Sequence, residues 1–226
     1  MHFYLVGKEL NGAIADVGDL RAQASPDVTV TVAQDLDIAA LDSKFTTHAA
    51  VGTLVGVKAS QPVNINVGYV QVNNIQDKAN GLWVNPGTSA NAALSTYDET
   101  PGTGDFDALG TKGFNLLQTY TGTPGVYYND DPTCELATND FYSASNCEVW
   151  NKAFRLVYVA LTPKVNGPVL VNADTGQLSA SYCQDLEETG EAALQAMLRA
   201  GEISGKKVTV DPNQDVNTTS EIVCSF

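Results

Sequence analysis

The chain has 226 residues, 43% apolar and only 17% charged, which suits one large or two small domains with a sizeable core. That balance excludes a disordered tail, a coiled coil and a collagen-like fibre. Net charge is −14, from 12 basic and 26 acidic residues spread evenly along the chain, so neither nucleic acid nor an anionic membrane surface is an expected partner.

His2–Gly7 reads as a short buried strand, closed by Gly7 and the Asn11-Gly12 turn. An indistinct stretch with helical character runs to Gln23. Asp27–Ala33 alternates with period two and is rich in β-branched residues, a strand signature. Lys44–Ser60 predicts a well-buried helix, with Gly52 and Gly56 permitting close packing and Pro62 ending it. Val67–Val72 is a candidate strand. Residues 73–104, with Asn85-Pro86-Gly87 and Thr100-Pro101-Gly102, read as a long surface excursion. Phe106–Gly113 predicts two helical turns with a glycine cap. Phe114–Tyr120 and Gly125–Tyr128 predict paired strands around Thr121-Gly122-Thr123-Pro124.

Ser145–Leu161 is apolar over most of its circumference, which predicts a helix covered on two sides and stopped by Pro163. Gly167–Val171 and Asp174-Thr175-Gly176 suggest a strand and a turn. Ser179–Ala200 predicts a helix: Leu186, Ala193, Leu194, Met197 and Leu198 share one face. Its outer face is acidic early, at Asp185, Glu187, Glu188 and Glu191, and basic late, at Arg199, as the helix dipole prefers. Gly201 ends it, Lys207–Val210 is a strand, Asp211–Gln214 a turn, and Ser220–Phe226 begins another strand.

These elements imply an α/β fold, a layered mixed sheet flanked by helices, with a smaller C-terminal α+β portion. The expected division is 1–165, carrying the excursion at 73–104, and 166–226, built on the helix at 179–200. A chain that starts and stops almost inside strands reads as a fragment of a longer protein.

Cys134, Cys147, Cys183 and Cys224 contain no Cys-x-x-Cys pair, which argues against a closed zinc site. They read first as reduced thiols of a cytosolic compartment, with one or two disulfides left open. No secretory leader opens the chain, and the charge-free stretch Ala59–Gln76 is too rich in Asn, Gln and Gly to span a bilayer. His2 and His48 are a poor inventory for acid–base or metal chemistry, and His48 reads as structural. There is no Gly-x-Ser-x-Gly elbow, Walker loop or dinucleotide fingerprint. Asp105–Gly110 echoes a calcium loop but lacks its distal Glu. Asn129–Pro132 and Asp211-Pro212-Asn213 read as Asx-type turns, although Asp211 also sits just past a strand end, where catalytic acids can stand. The Asn217-Thr218-Thr219 sequon carries no weight without a secretion signal. No nucleophile has a credible base, so no enzyme activity, cofactor or metal is expected.

Several stretches in order carry a resemblance: Thr47–Thr53, Lys112-Gly113-Phe114, Tyr120-Thr121-Gly122, Tyr127-Tyr128-Asn129, Pro132-Thr133-Cys134, Trp150-Asn151-Lys152-Ala153, Ala200–Gly205 and Val210–Gln214. From Val28 to Phe226 the chain resembles the tail sheath proteins of contractile bacteriophage tails, in the prophage and phage-like branch. The resemblance implies a virion structural protein, a ring and helical homopolymer around an inner tube protein, anchored at a baseplate. Terminal segments would add strands to neighbouring subunits, and contraction would drive the tube through a cell envelope. It also implies assembly in the bacterial cytoplasm and residence in the tail of a virion or phage-like particle. The helix at 179–200 best fits the family's tube-facing helix, which makes Glu187, Glu188, Glu191 and Gln195 candidate partner residues, with Ile222 and Val223 on the terminal strand. Two departures stand out. The family's large N-terminal portion and its final strand are missing, and Cys147-Glu148 stands where an Arg usually precedes the Trp150 helix. A secreted or surface α/β binding module without catalytic activity is the alternative. It predicts disulfides, so four free thiols in an Ellman count would argue against it.

Overall fold

The computed structural model describes residues 3–6, 18–35, 41–42, 49, 51–75, 82–84, 92–93, 105–173, 175–214 and 216–226. His2, His48 and most of the 73–104 excursion lie outside them. In chain order the elements are β1 (Phe3–Val6), β2 (Val28–Thr31), β3 (Ala33–Asp35), α1 (Val51–Ala59), β4 (Leu82–Val84), β5 (Ala92–Ala93) and α2 (Asp105–Thr111). There follow β6 (Phe114–Asn115), β7 (Leu117–Tyr120), β8 (Thr123–Tyr128), α3 (Ala144–Leu161), α4 (Ala180–Arg199), β9 (Thr209–Val210), α5 (Val216–Thr219) and β10 (Cys224–Ser225). Short 3-10 turns stand at Leu20–Gln23 and Thr162–Lys164. The fold is α/β, with one parallel and three antiparallel small sheets among the described residues, in two compact units, Met1–Glu148 and Val149–Phe226.

The first unit is organised on a parallel sheet of order β1-β2-β6, in which Phe3 pairs with Val28 and Val30 with Phe114. The central strand β2 buries its threonines. Their hydroxyls are satisfied: Thr29 Oγ1 donates to Pro132 O at 2.9 Å, and Thr31 Oγ1 accepts from Ala33 N at 3.2 Å. Beyond Val32 the chain turns into a second sheet, where β3 pairs antiparallel with β4 and β4 with β5. Part of the expected surface excursion therefore builds sheet. A core of Ala33, Leu54, Val67, Ile75, Leu117 and Tyr128 lies beneath the β7–β8 hairpin.

Three expectations need correction here. The hairpin turn is Thr121-Gly122 alone, with Gly122 at φ +82°, and Thr123 and Pro124 already belong to β8. Helix α1 is not buried all round: it buries Leu54 and Lys58, while a Cβ at Gly52 or Gly56 would meet only open space. Those glycines serve no close packing among the described residues. Val67–Val72 is a run of turns, closed by Tyr69 N to Asn66 O at 3.0 Å and Val72 N to Tyr69 O at 3.1 Å. Asn66 decides this locally, because its Oδ1 accepts from Gly68 N at 2.7 Å in an Asx turn. Gly68 is needed there, since a Cβ would press within 3.0 Å of the Asn129 and Tyr128 carbonyl oxygens.

In the second unit α4 follows its sequence signals closely. Ser179 caps it, with Oγ accepting from Tyr182 N at 3.3 Å. At the far end Gly201, φ +70°, closes a Schellman motif: Gly201 N donates to Leu198 O at 3.1 Å and Glu202 N to Met197 O at 3.0 Å. Space around Gly201 is open, so Gly201→Ala is expected to cost about 1–2 kcal/mol through the left-handed backbone alone. Urea unfolding of the variant measures it. Leu194 and Met197 pack with Val157 and Val208, and Leu186 with Leu178, Tyr182, Cys183 and Val210. β9 and β10 pair antiparallel, Val210 opposite Cys224. The strand expected at Gly167–Val171 is an exposed loop that makes a single bridge among the described residues, Val171 to Leu178. Among the described residues it has no neighbouring strand to satisfy a ladder.

Candidate functional site

The partner residues singled out from the sequence occupy different environments. Glu187 and Glu191 turn toward β9: Glu187 Oε1 accepts from Val210 N at 2.9 Å and Glu191 Oε1 from Val208 N at 3.4 Å. Lys206 reinforces this, 3.6 Å from the Glu191 carboxylate and donating to Glu191 O at 3.0 Å. The two carboxylates thus cover the N–H groups of Val210 in β9 and of Val208 just before it. Glu188 stays exposed, accepting from Gln184 Nε2 at 2.8 Å, and Gln195 is half-buried. Ile222 packs on the Leu186 cluster. Val223 exposes its side chain while Gln214 grips its main chain, Oε1 accepting from Val223 N at 2.6 Å and Nε2 donating to Val223 O at 2.9 Å.

Stretches that carry the sequence resemblance act as joints of the fold. Asn129 ties β6 to β8, with Oδ1 accepting from Leu116 N at 2.9 Å and Nδ2 donating to Phe114 O at 3.3 Å. Lys152 and Glu202 join two of the resembling stretches in an ion pair of 2.6 Å. Asp211 Oδ1 accepts from Asn213 N at 2.9 Å, so this acid is engaged in an Asx turn. At the position of the missing Arg, Glu148 stands 3.3 Å from Lys58 and Cys147 Sγ donates to Pro26 O at 3.1 Å.

Sequence reasoning missed a buried polar cluster in the first unit. Lys58, 5% exposed, donates from Nζ to Val63 O at 3.1 Å, Ile65 O at 2.9 Å and Ser145 Oγ at 2.9 Å. The Asp131 carboxylate, 3% exposed and 3.9 Å from Lys58, accepts from Asn66 Nδ2 at 2.8 Å, Ser143 Oγ at 2.6 Å, Ser145 N at 2.9 Å and the Ser145 hydroxyl. Burial raises the Asp131 carboxyl above its usual range, against the Ser143 and Ser145 hydrogen bonds and the Lys58 charge that pull it down. The signal was present, because Lys58 is the one Lys, Arg, Asp or Glu between residues 45 and 76. Most of the hydrogen bonds in the cluster join its own members, an arrangement that ties α1 to the first turn of α3.

The four cysteines are free, three of them buried. Burial first, then the Asp27 and Asp131 charges, push the Cys147 thiol up to about 12, and its Sγ is directed at the Pro26 and Phe141 carbonyls. Since the thiolate is the reactive form, Cys147 is expected to resist iodoacetamide at pH 8 in the native chain and to react in urea. Peptide mass mapping reads this directly. Among the described residues, no group of three His, Cys, Asp or Glu side chains could hold a metal ion, and no helix is long and apolar enough to cross a membrane.

Helix α3 departs from expectation on one face. It was expected to be covered on two sides, yet Trp150, Phe154, Tyr158 and Val159 are exposed.

Residues 140–225 match the family model described as DUF2586, C-terminal domain. The chain also shares its fold with a chain of the anti-feeding prophage (AFP) baseplate, from a 6-fold symmetrised cryo-EM structure. The TM-score is 0.55 at 15% identity, over 96% of this chain and 53% of that one, so this chain spans about half its structural relative. No curated protein matches the sequence.

Proposed function

We propose that this chain is a non-enzymatic structural subunit of a contractile phage-like tail. Its specific role is that of a sheath-type protein, polymerising around an inner tube and contracting to drive it through a cell envelope. The observation that carries this is the fold held in common, over nearly the whole chain, with a chain of a phage-like baseplate. The ordered sheath-like stretches, several of them joints of the fold, add to it. Its partners in this reading are further copies of itself, an inner tube protein and the baseplate, within a phage-like particle. The outer face of α4, with Glu188 and Gln195, and the Ile222-Val223 segment supply partner surfaces. Glu187 and Glu191 act one step back, holding β9 in place beneath them.

The test is negative-stain electron microscopy of the chain expressed alone and within its natural flanking sequence. Hollow helical tubes or stacked rings are the expected result. Monodisperse monomers in both preparations would overturn the polymer reading.

A further inference from the structure

The second unit presents two helix faces, both uncovered in the described chain, that complement each other. On α3, Trp150, Phe154 and Tyr158 recur every fourth residue and are 45%, 46% and 63% exposed. Their rings form a ladder, with centroids 5.4 and 6.1 Å apart and planes inclined by 15° and 19°. Phe226 widens the patch, 6.3 Å from Phe154. Arg155 is exposed beside Phe154, with no ion pair or side-chain hydrogen bond among the described residues. Lys58, Lys152, Lys164 and Lys206 are ion-paired, whereas Arg199 and Lys207 are exposed and, like Arg155, without an ion pair among the described residues. Aromatic rings grouped with an unpaired arginine are the composition of interface hot spots. On α4, Glu188, Ala192 and Ala196 recur at the same spacing and are exposed. One ridge is bulky, with the Arg155 cation about 100° round the helix from Phe154; the other is small and carries a carboxylate. Rows of i, i+4 side chains of this kind interdigitate when two helices cross.

We propose that the aromatic face of α3 docks on the Glu188–Ala196 face of α4 in a second copy of this chain, with Arg155 paired to Glu188 across the contact. The proposal rests on the reading of the chain as a repeating subunit and assigns Glu188 to a neighbouring copy rather than to the tube. Two different faces can meet head-to-tail and propagate into a ring or helix, or meet reciprocally across a two-fold axis, and a repeating subunit requires the first. Half-exposed rings of this size supply on the order of 400 Å² of contact. A standard interface uses about 800 Å² per partner, so this contact alone gives weak association.

The test is sedimentation velocity of the full chain over a concentration series at about 0.15 M salt, where distant repulsion between the acidic copies is screened. Concentration-dependent self-association is expected, weakened about tenfold or more by Arg155→Glu and by Glu188→Arg, and restored by the two together. An unchanged thermal midpoint shows that the variants fold. A wild-type chain that stays monomeric, single variants without effect, or a double variant that fails to restore association would each overturn the contact. Tubes formed equally well by Arg155→Glu and wild type would overturn it too, while leaving the proposed function intact. Charge-swap rescue without tubes would do the reverse.

Discussion

Lys58→Met is expected to destabilise the first unit by about 3–5 kcal/mol. Urea unfolding measures the loss, and amide hydrogen exchange should localise it to α1 and β8. The ammonium gives hydrogen bonds to two carbonyls and a serine, and it lies near two carboxylates. Methionine has comparable reach but no charge, so the Asp131 and Glu148 carboxylates lose their cation. The double variant Lys58→Met/Asp131→Asn should be more stable than the sum of its parts by about 0.5–3 kcal/mol. Strict additivity would place the two residues in separate networks. The pH dependence has a definite sign. Burial raises the folded Asp131 carboxyl, so the folded chain holds a proton there that the unfolded chain has lost. Stability from this group is therefore present below the unfolded value of about 3.9 and falls as pH rises through the folded one. Removing Lys58 removes a charge that lowers Asp131, which extends the window upward. The Lys58→Met penalty should be smallest in acid and grow toward neutral pH.

That cluster shows what a linear pattern conceals. The apolar residues of Val51–Ala59 mark a buried helix, but nothing local to it points to a partner for Lys58, because the acids beside that lysine come from residues 131 and 148. Where structure is set locally, reading succeeds: α4 announces itself through Leu186, Leu194 and Met197 on one face, a Ser179 cap and a Gly201 stop. β2 does so through alternating Val and Thr. Where structure is set by distant partners, reading fails. β4 and β5 are strands because β3 offers an edge, in a segment whose Asn, Pro and Gly content favours turns. Val67–Val72 alternates like a strand but pairs with none among the described residues, and Asn66 turns it instead. The candidate surface divides the same way. The acidity of α4 is legible, but only the tertiary structure separates Glu187 and Glu191, bonded to β9, from exposed Glu188. The aromatic spacing on α3 is equally plain, and a sequence cannot distinguish a ladder that is covered from one left open.

Gly190→Val is expected to remove about 1–3 kcal/mol from the second unit by forcing β9 away from α4. Glycine in a helix interior is otherwise a loss of about 1 kcal/mol relative to alanine. Here it makes room: a Cβ at position 190 would stand 3.1 and 3.2 Å from the two γ carbons of Val208. Alanine should be close to neutral, because its gain in helix propensity offsets a contact that is only tight. Valine adds two further carbons in the direction of Val208, and the strand must give way. Its departure would also break the hydrogen bonds from Val210 N to Glu187 and from Val208 N to Glu191, made by carboxylates three residues before and one residue after the glycine. One helix face thus admits the strand through Gly190 and holds it through two acids. Amide exchange at Val208 and Val210 should accelerate in Gly190→Val while β2 and β8 keep their protection. Unchanged exchange at those two amides would mean that β9 can shift outward with its carboxylate bonds intact, and that Gly190 is dispensable.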